Sequence, residues 1–151
     1  MVKKYIWWVA VLVCMIVIFL FSHQKAADST ELSDGLLFDI IKFFSINASD
    51  KAIAFLSIFI RKVAHFSVYA VLGVSTYMLV VTNFGLNGKK AFFTALIVCV
   101  LYAATDEVHQ LFVAGRSGEV KDVLIDSTGA LFGISLTHAT KRLFSRRNKN
   151  G

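Results

Sequence analysis

The sequence has no proline and only two cysteines among its 151 residues. Without proline the commonest cause of a sharp helix break is missing, and glycine pairs are left as the alternative. Cys14 and Cys99 each lie in the middle of an apolar run, where a thiol reads as a small hydrophobe rather than as a disulfide or reactive partner. There is no internal repeat and no low-complexity tract. Also missing are a phosphate-cradling Gly-rich loop and a Ser, His and acid order that specifies a triad. The first apolar run, Tyr5 to Phe21, is followed by Ser22, His23, Gln24 and Lys25 rather than by a small-residue cleavage site, so it is expected to stay as a transmembrane helix.

What is present is apolar surface. At 56% hydrophobic residues and a mean hydropathy of +0.66, the chain is too apolar for an ordinary soluble protein. An all-α fold follows: one polytopic membrane domain over residues 1–151. Four runs approach the length of about 20 residues that crosses about 30 Å of hydrocarbon as a helix. They are Tyr5 to Phe21, Val63 to Thr82, Ala91 to Val113 and Val123 to Thr137, the last shorter and interrupted by Asp126.

Charge sets the orientation. Lys3, Lys4, Lys89, Lys90, Lys141, Arg142, Arg146, Arg147 and Lys149 flank the same ends of these runs, and no acid accompanies them. The other seven of the sixteen cations and all ten acids fall at the opposite ends. By the positive-inside rule both termini are cytoplasmic, with a basic tail over 138–151. The net charge of +6 is therefore a topology signal, and the layout of a nucleic-acid face is missing.

The segment Ser22 to Lys62 then lies outside the cytoplasm. Leu32, Leu36, Leu37, Ile40, Ile41 and Phe44 recur at helical spacing opposite Asp34, Asp39 and Lys42, which predicts an amphipathic helix on the outer membrane surface or folded over the bundle as a lid. Ala52 to Ile60 is nearly pure hydrophobe. A helix from Lys51 to Asn83 would be roughly 50 Å long at about 1.5 Å per residue, so its beginning is expected to be interfacial, re-entrant or projecting.

On the same rise, Ser22, His65, Asp106, His109, Asp122 and Asp126 all fall roughly 22–28 Å from the cytoplasmic ends of their helices. They form one polar layer near the outer edge of the hydrocarbon. Asp106, His109 and Gln110 are expected to share a face at i, i+3 and i+4, with Glu107 turned away. Asp122, Asp126, Gly129 and Gly133 share another, and Arg61, His65 and Tyr69 a third. Taken singly, Asp106 and Asp126 read as salt-bridge partners of Arg61, Lys62 or Arg116. His65 and His109 read as structural hydrogen-bonding residues, and Glu107, Glu119 and Lys121 as solvated charges. Acids inside a membrane are costly, however, and mark function by default. Arg116, between Gly115 and Gly118, offers a fork of donors to phosphate or carboxylate. No cofactor and no metal are expected, because Asp106 and His109 have loose ligand spacing and neighbouring cations compete for the carboxylates.

Three blocks carry a family resemblance: FSHQ from Phe21 to Gln24, RKVAHFSVYAVLG from Arg61 to Gly73, and DEVHQLFVAGRSGEVKDVLIDSTGALFG from Asp106 to Gly133. In their order and spacing they resemble the VanZ-like membrane proteins. The resemblance marks Lys62, His65, Tyr69, Asp106, Glu107, Gln110, Arg116, Asp122 and Gly129, with Ser22 and Gln24 more weakly. It implies a bacterial cytoplasmic-membrane protein and a link to teicoplanin-type glycopeptide resistance, and it supplies no established reaction.

Two functions are consistent with these residues. In the first, the layer binds an anionic membrane lipid or lipid-linked cell-envelope precursor: Arg61, Lys62 and Arg116 hold the anion, Asp106, Asp122 and Asp126 orient the cations, and Tyr69 shapes the acyl-chain side. In the second, an enzyme acts on such a lipid with His65 or His109 and Asp106 as acid and base. A proton-coupled transporter fits less well, since the carboxylates sit away from the bilayer midplane.

Overall fold

The computed structural model describes residues 2–24, 31, 34, 35, 37–40, 42, 43 and 49–147, and among these the fold is all-helical. The four principal helices are α1 (Val2–His23), α2 (Asp50–Phe84), α3 (Gly88–Gln110) and α4 (Val120–Arg147). Three stretches are long and apolar enough to cross a membrane: Lys4–His23, Asp50–Phe84 and Gly88–Gln110. The protein is thus a multi-pass membrane protein.

Helix α1 is apolar on every side, the pattern of a span with lipid on most faces. Val11 and Ile18 turn into the bundle while Leu12, Ile16 and Leu20 are exposed. Helix α2 starts at Ser49, whose hydroxyl accepts from the Ala52 N–H, and stops at Gly85, whose left-handed φ of 66° suits a residue without a side chain. Over its 35 residues α2 is unbroken, so Ala52 to Ile60 is neither re-entrant nor separate from the span that follows. At about 1.5 Å per residue it exceeds the hydrocarbon thickness by roughly 20 Å. Its burial begins in earnest at Tyr69, whereas Phe55 and Phe59 are exposed.

Consecutive helices alternate in direction. Asn83, at the end of α2, donates to the Lys4 carbonyl at the start of α1 (3.1 Å), and Tyr102 of α3 donates to the Met15 carbonyl (2.7 Å). Tyr77 of α2 meets His138 of α4 at 2.8 Å. Two seams of small residues let the helices approach. On α3, Ala91, Ala95, Cys99 and Ala103 are fully buried at a spacing of four. Between α2 and α4, a Cβ added to Gly73, Gly129 or Gly133 would overlap the backbone carbonyl of Ala130, Phe66 or Ala70 respectively. Only glycine permits that contact, which is the close-approach geometry of small-residue membrane packing.

Of the expected amphipathic segment, the described positions are helical, with Leu37 buried and Phe38, Ile40 and Phe43 exposed. Leu32, Leu36, Ile41 and Phe44, and Lys149 of the tail, lie outside the described residues.

Candidate functional site

The small-residue seams deliver polar groups to one end of the bundle. Phe66, in backbone contact with Gly129, directly follows His65, and Asp126 stands three residues before Gly129. The contact therefore holds His65 Nδ1 and Asp126 Oδ1 near each other, at 3.7 Å. The α3 seam runs on into Asp106, Glu107 and Gln110, all buried. From α1, buried Ser22 donates to Asp106 Oδ2 at 2.7 Å and accepts from Gln110 Nε2 at 3.3 Å. Lys62 pairs with Asp122. His65, Asp106 and Asp126 present ligating atoms within 4.8 Å of one another, and are the described residues that could hold a metal.

The turn between α3 and α4 is built, not loose. The Arg116 N–H donates to the Val113 carbonyl (3.1 Å), Gly115 supplies a φ of 77°, and Gly118 lies against the Glu107 carbonyl. The Glu107 side chain accepts the Glu119 N–H at 2.9 Å, tying the start of α4 to the end of α3. Arg116 reaches from this turn to α1, donating to the carbonyls of Gln24 and Phe21, each at 3.0 Å. Two of its five N–H donors are used there, and neither acceptor carries a charge. Burial, then the neighbouring Arg61 guanidinium, lowers the Arg116 pKa from its ordinary value. Among the described residues neither Arg61 nor Arg116 forms an ion pair with a carboxylate.

These side chains surround a half-open cavity of about 380 Å³. Arg61, Lys62 and Arg116 contribute its cations, His65, Glu119, Asp122 and Asp126 its other ionisable groups, and Ile58 and Ile125 its apolar rim. Such a concave, partly apolar site with convergent charges of both signs has the form of a small-molecule site.

Residues 7–142 match the VanZ/LLP1 family. The chain belongs to this family. No curated protein and no solved structure matches it. Of the residues that the VanZ resemblance marks, Lys62, His65, Gln110, Arg116 and Asp122 line the cavity, and Asp126 joins them.

Several expectations are changed by the geometry. His109 does not pair with Asp106: it turns outward to His23, with Nε2 3.3 Å from His23 Nδ1, and stacks on Phe19. With the α3 seam as reference and about 100° per residue, Gln110, Glu107 and Asp106 fall within about 60° of Ala103, whereas His109 lies about 120° away. Glu107 is accordingly buried rather than solvated, and it anchors the turn instead of lining the cavity. Tyr69 is fully buried and cannot face acyl chains. Asp106 orients no cation; its partners are Ser22 and Gln110. The contribution of Gln24 in contact with Arg116 is its carbonyl. His23 had no assigned role, and the outward side of α3 was the signal that could have paired it with His109.

Proposed function

We propose that this VanZ-family protein binds the phosphate of a membrane lipid or of a lipid-linked cell-envelope precursor in the cavity between α2 and α4. The carrying observation is that Arg61 and Arg116 face one cavity without a carboxylate partner among the described residues. Two guanidinium groups that repel each other in a partly buried site gain from an anion placed between them, and each offers a planar set of donors matched to phosphate. Lys62 adds a third cation, held in place by Asp122. The rim residues Ile58 and Ile125 give a lipid chain an apolar exit.

In this reading α4 is the fourth crossing, both termini are cytoplasmic, and the cavity opens at the outer leaflet of a bacterial cytoplasmic membrane. Reporter fusions at the α2–α3 turn and after α4 test that topology; a reporter active outside the cytoplasm at either site would reverse it. Occupancy of the cavity would connect the protein to glycopeptide tolerance through the envelope lipid it holds.

Mass spectrometry of lipids that co-purify with the protein tests the ligand. Arg61→Ala is the cleaner variant, because Arg61 makes no hydrogen bond or ion pair with a described residue, whereas Arg116 also secures α1. Wild type should retain undecaprenyl phosphate or a glycerophospholipid that Arg61→Ala and Arg116→Ala lose. Equal lipid content in all three would reject the reading.

A second reading, acid–base chemistry on the bound lipid, draws on His65, which lines the cavity 3.7 Å from Asp126. The histidine in question is His65, with Asp126 or Asp106 as its partner, because His109 faces His23. New product formed from these lipids by wild type and abolished by His65→Gln would favour it over binding alone.

A further inference from the structure

One group of side chains at the wall of the cavity is not needed to hold an anion. His65 from α2, Asp106 from α3 and Asp126 from α4 converge so that one ligating atom of each lies within 4.8 Å of the other two. Two carboxylates this close repel in a poorly hydrated interior. Among the described residues no Lys or Arg side chain forms an ion pair with either: Lys62 pairs with Asp122, Arg116 donates to backbone carbonyls of α1, and Arg61 makes no ion pair. The direct pairing expected to deny these carboxylates to a metal is therefore not made among the described residues.

Asp126 supplies a second observation. It is fully buried, and neither of its oxygens has a hydrogen-bond partner among the described residues. Its approach to His65 Nδ1, at 3.7 Å, is too long to be a hydrogen bond. The Tyr69 hydroxyl, also fully buried, is likewise without a partner there. A buried carboxylate with both oxygens unfilled is costly, and one cation among the three groups would fill them and cancel their charge. Asp106 is already prepared for such a role. Ser22 holds its Oδ2 and Gln110 holds Ser22, an outer arrangement of the kind that orients metal-binding carboxylates.

We propose that His65, Asp106 and Asp126 bind one divalent transition-metal ion of the Mn²⁺ or Zn²⁺ class at the floor of the cavity. One imidazole and two carboxylates form a mixed nitrogen and oxygen set suited to these ions and poorly suited to thiol-seeking ones. The ligand atoms draw in by about an ångström to reach bonds of about 2.0–2.2 Å. Three protein ligands leave a coordination position open, and because His65 and Asp126 both line the cavity, that position faces it. The assignment stands on the cluster itself and does not depend on which anion occupies the space above.

The test uses full-length, tag-free protein in detergent, stripped with EDTA and titrated with Mn²⁺ under calorimetry and electron paramagnetic resonance, with Zn²⁺ as competitor. Wild type should bind one Mn²⁺ per chain, displaced by Zn²⁺, with nitrogen coupling from a directly bound imidazole in the spin-echo signal. Asp126→Asn and His65→Gln should abolish saturable binding. Ser22→Ala, which frees Asp106, should weaken it by about 10- to 100-fold. His109→Ala should leave it unchanged, because His109 faces His23. Absence of saturable binding by wild type overturns the proposal, as does unchanged affinity in Asp126→Asn. Nitrogen coupling that survives His65→Gln and vanishes in His109→Ala would also overturn it, by locating the ion on the outer histidine pair. If the ligand variants do not fold, the stoichiometry and nitrogen coupling of wild type decide.

Discussion

The two ends of the helix bundle satisfy their polar groups differently. At one end, Tyr77 meets His138 at 2.8 Å with Phe92 edge-on to the imidazole, Thr82 donates to the Met78 carbonyl, and Asn83 donates to the Lys4 carbonyl, leaving the buried Thr76 hydroxyl beside Tyr77 without a hydrogen-bond partner among the described residues. At the other, both oxygens of Asp126, one oxygen of Glu107 and the hydroxyls of Tyr69 and Ser127 are buried without a hydrogen-bond partner among the described residues, and two arginines line a cavity without forming an ion pair among those residues. An unmade buried hydrogen bond costs about 1–3 kcal/mol, so the second end is expensive as it stands. The difference separates polar groups that hold helices together from polar groups that, in the proposed function, await a ligand.

The largest change comes from removing the framework that both ends share. Gly133→Leu forces a side chain into the Ala70 backbone, and should cost about 3 kcal/mol or more in detergent unfolding while separating His65 from Asp126 and abolishing ligand binding. Retention of wild-type stability would mean that the α2–α4 contact is looser than described. Next in size is Arg61→Ala. It should weaken binding to vesicles containing an anionic phospholipid by about 10-fold or more, with stability held within about 0.5 kcal/mol. A stability loss without a binding loss would move Arg61 to the structural class of the opposite end.

Lys62→Ala should behave otherwise, because its partner Asp122 is left behind; both binding and stability fall, the latter by about 1 kcal/mol for a pair this exposed. At the opposite end Tyr77→Phe removes one hydrogen bond, so a loss of about 1 kcal/mol with unchanged vesicle binding is expected. The smallest effect belongs to His109→Ala. It forfeits ring stacking worth about 0.5–1.5 kcal/mol at most and leaves binding intact.

Much of this division is legible in the chain. Hydropathy marks the spans, and counting residues along each run brings Ser22, His65, Asp106 and Asp126 to one depth, because an α-helix rises by a fixed amount per residue. Rotation about the helix axis is harder to read. On α3, His109 lies within the spacing of a shared face with Asp106, and only the buried Ala91, Ala95, Cys99 and Ala103 seam shows that the inward direction favours Glu107 and Gln110 instead. Helix α2 shows the converse: the excess length of Lys51 to Asn83 over the membrane leaves Ala52 to Ile60 open between interfacial, re-entrant and projecting, and the unbroken helix from Asp50 removes the re-entrant alternative. The anchorage of Arg116 was hidden for a different reason. Its acceptors are the backbone carbonyls of Phe21 and Gln24, which every residue type possesses.

That anchorage has a mechanical consequence. Arg116 closes the carboxyl end of α1, where a cation opposes the helix dipole and takes up carbonyls that have no partner within the helix. In the proposed function, an anion entering the cavity would draw on the same guanidinium. The cation would then be a shared clasp, its grip on the first helix and its grip on the ligand two loads on one hinge.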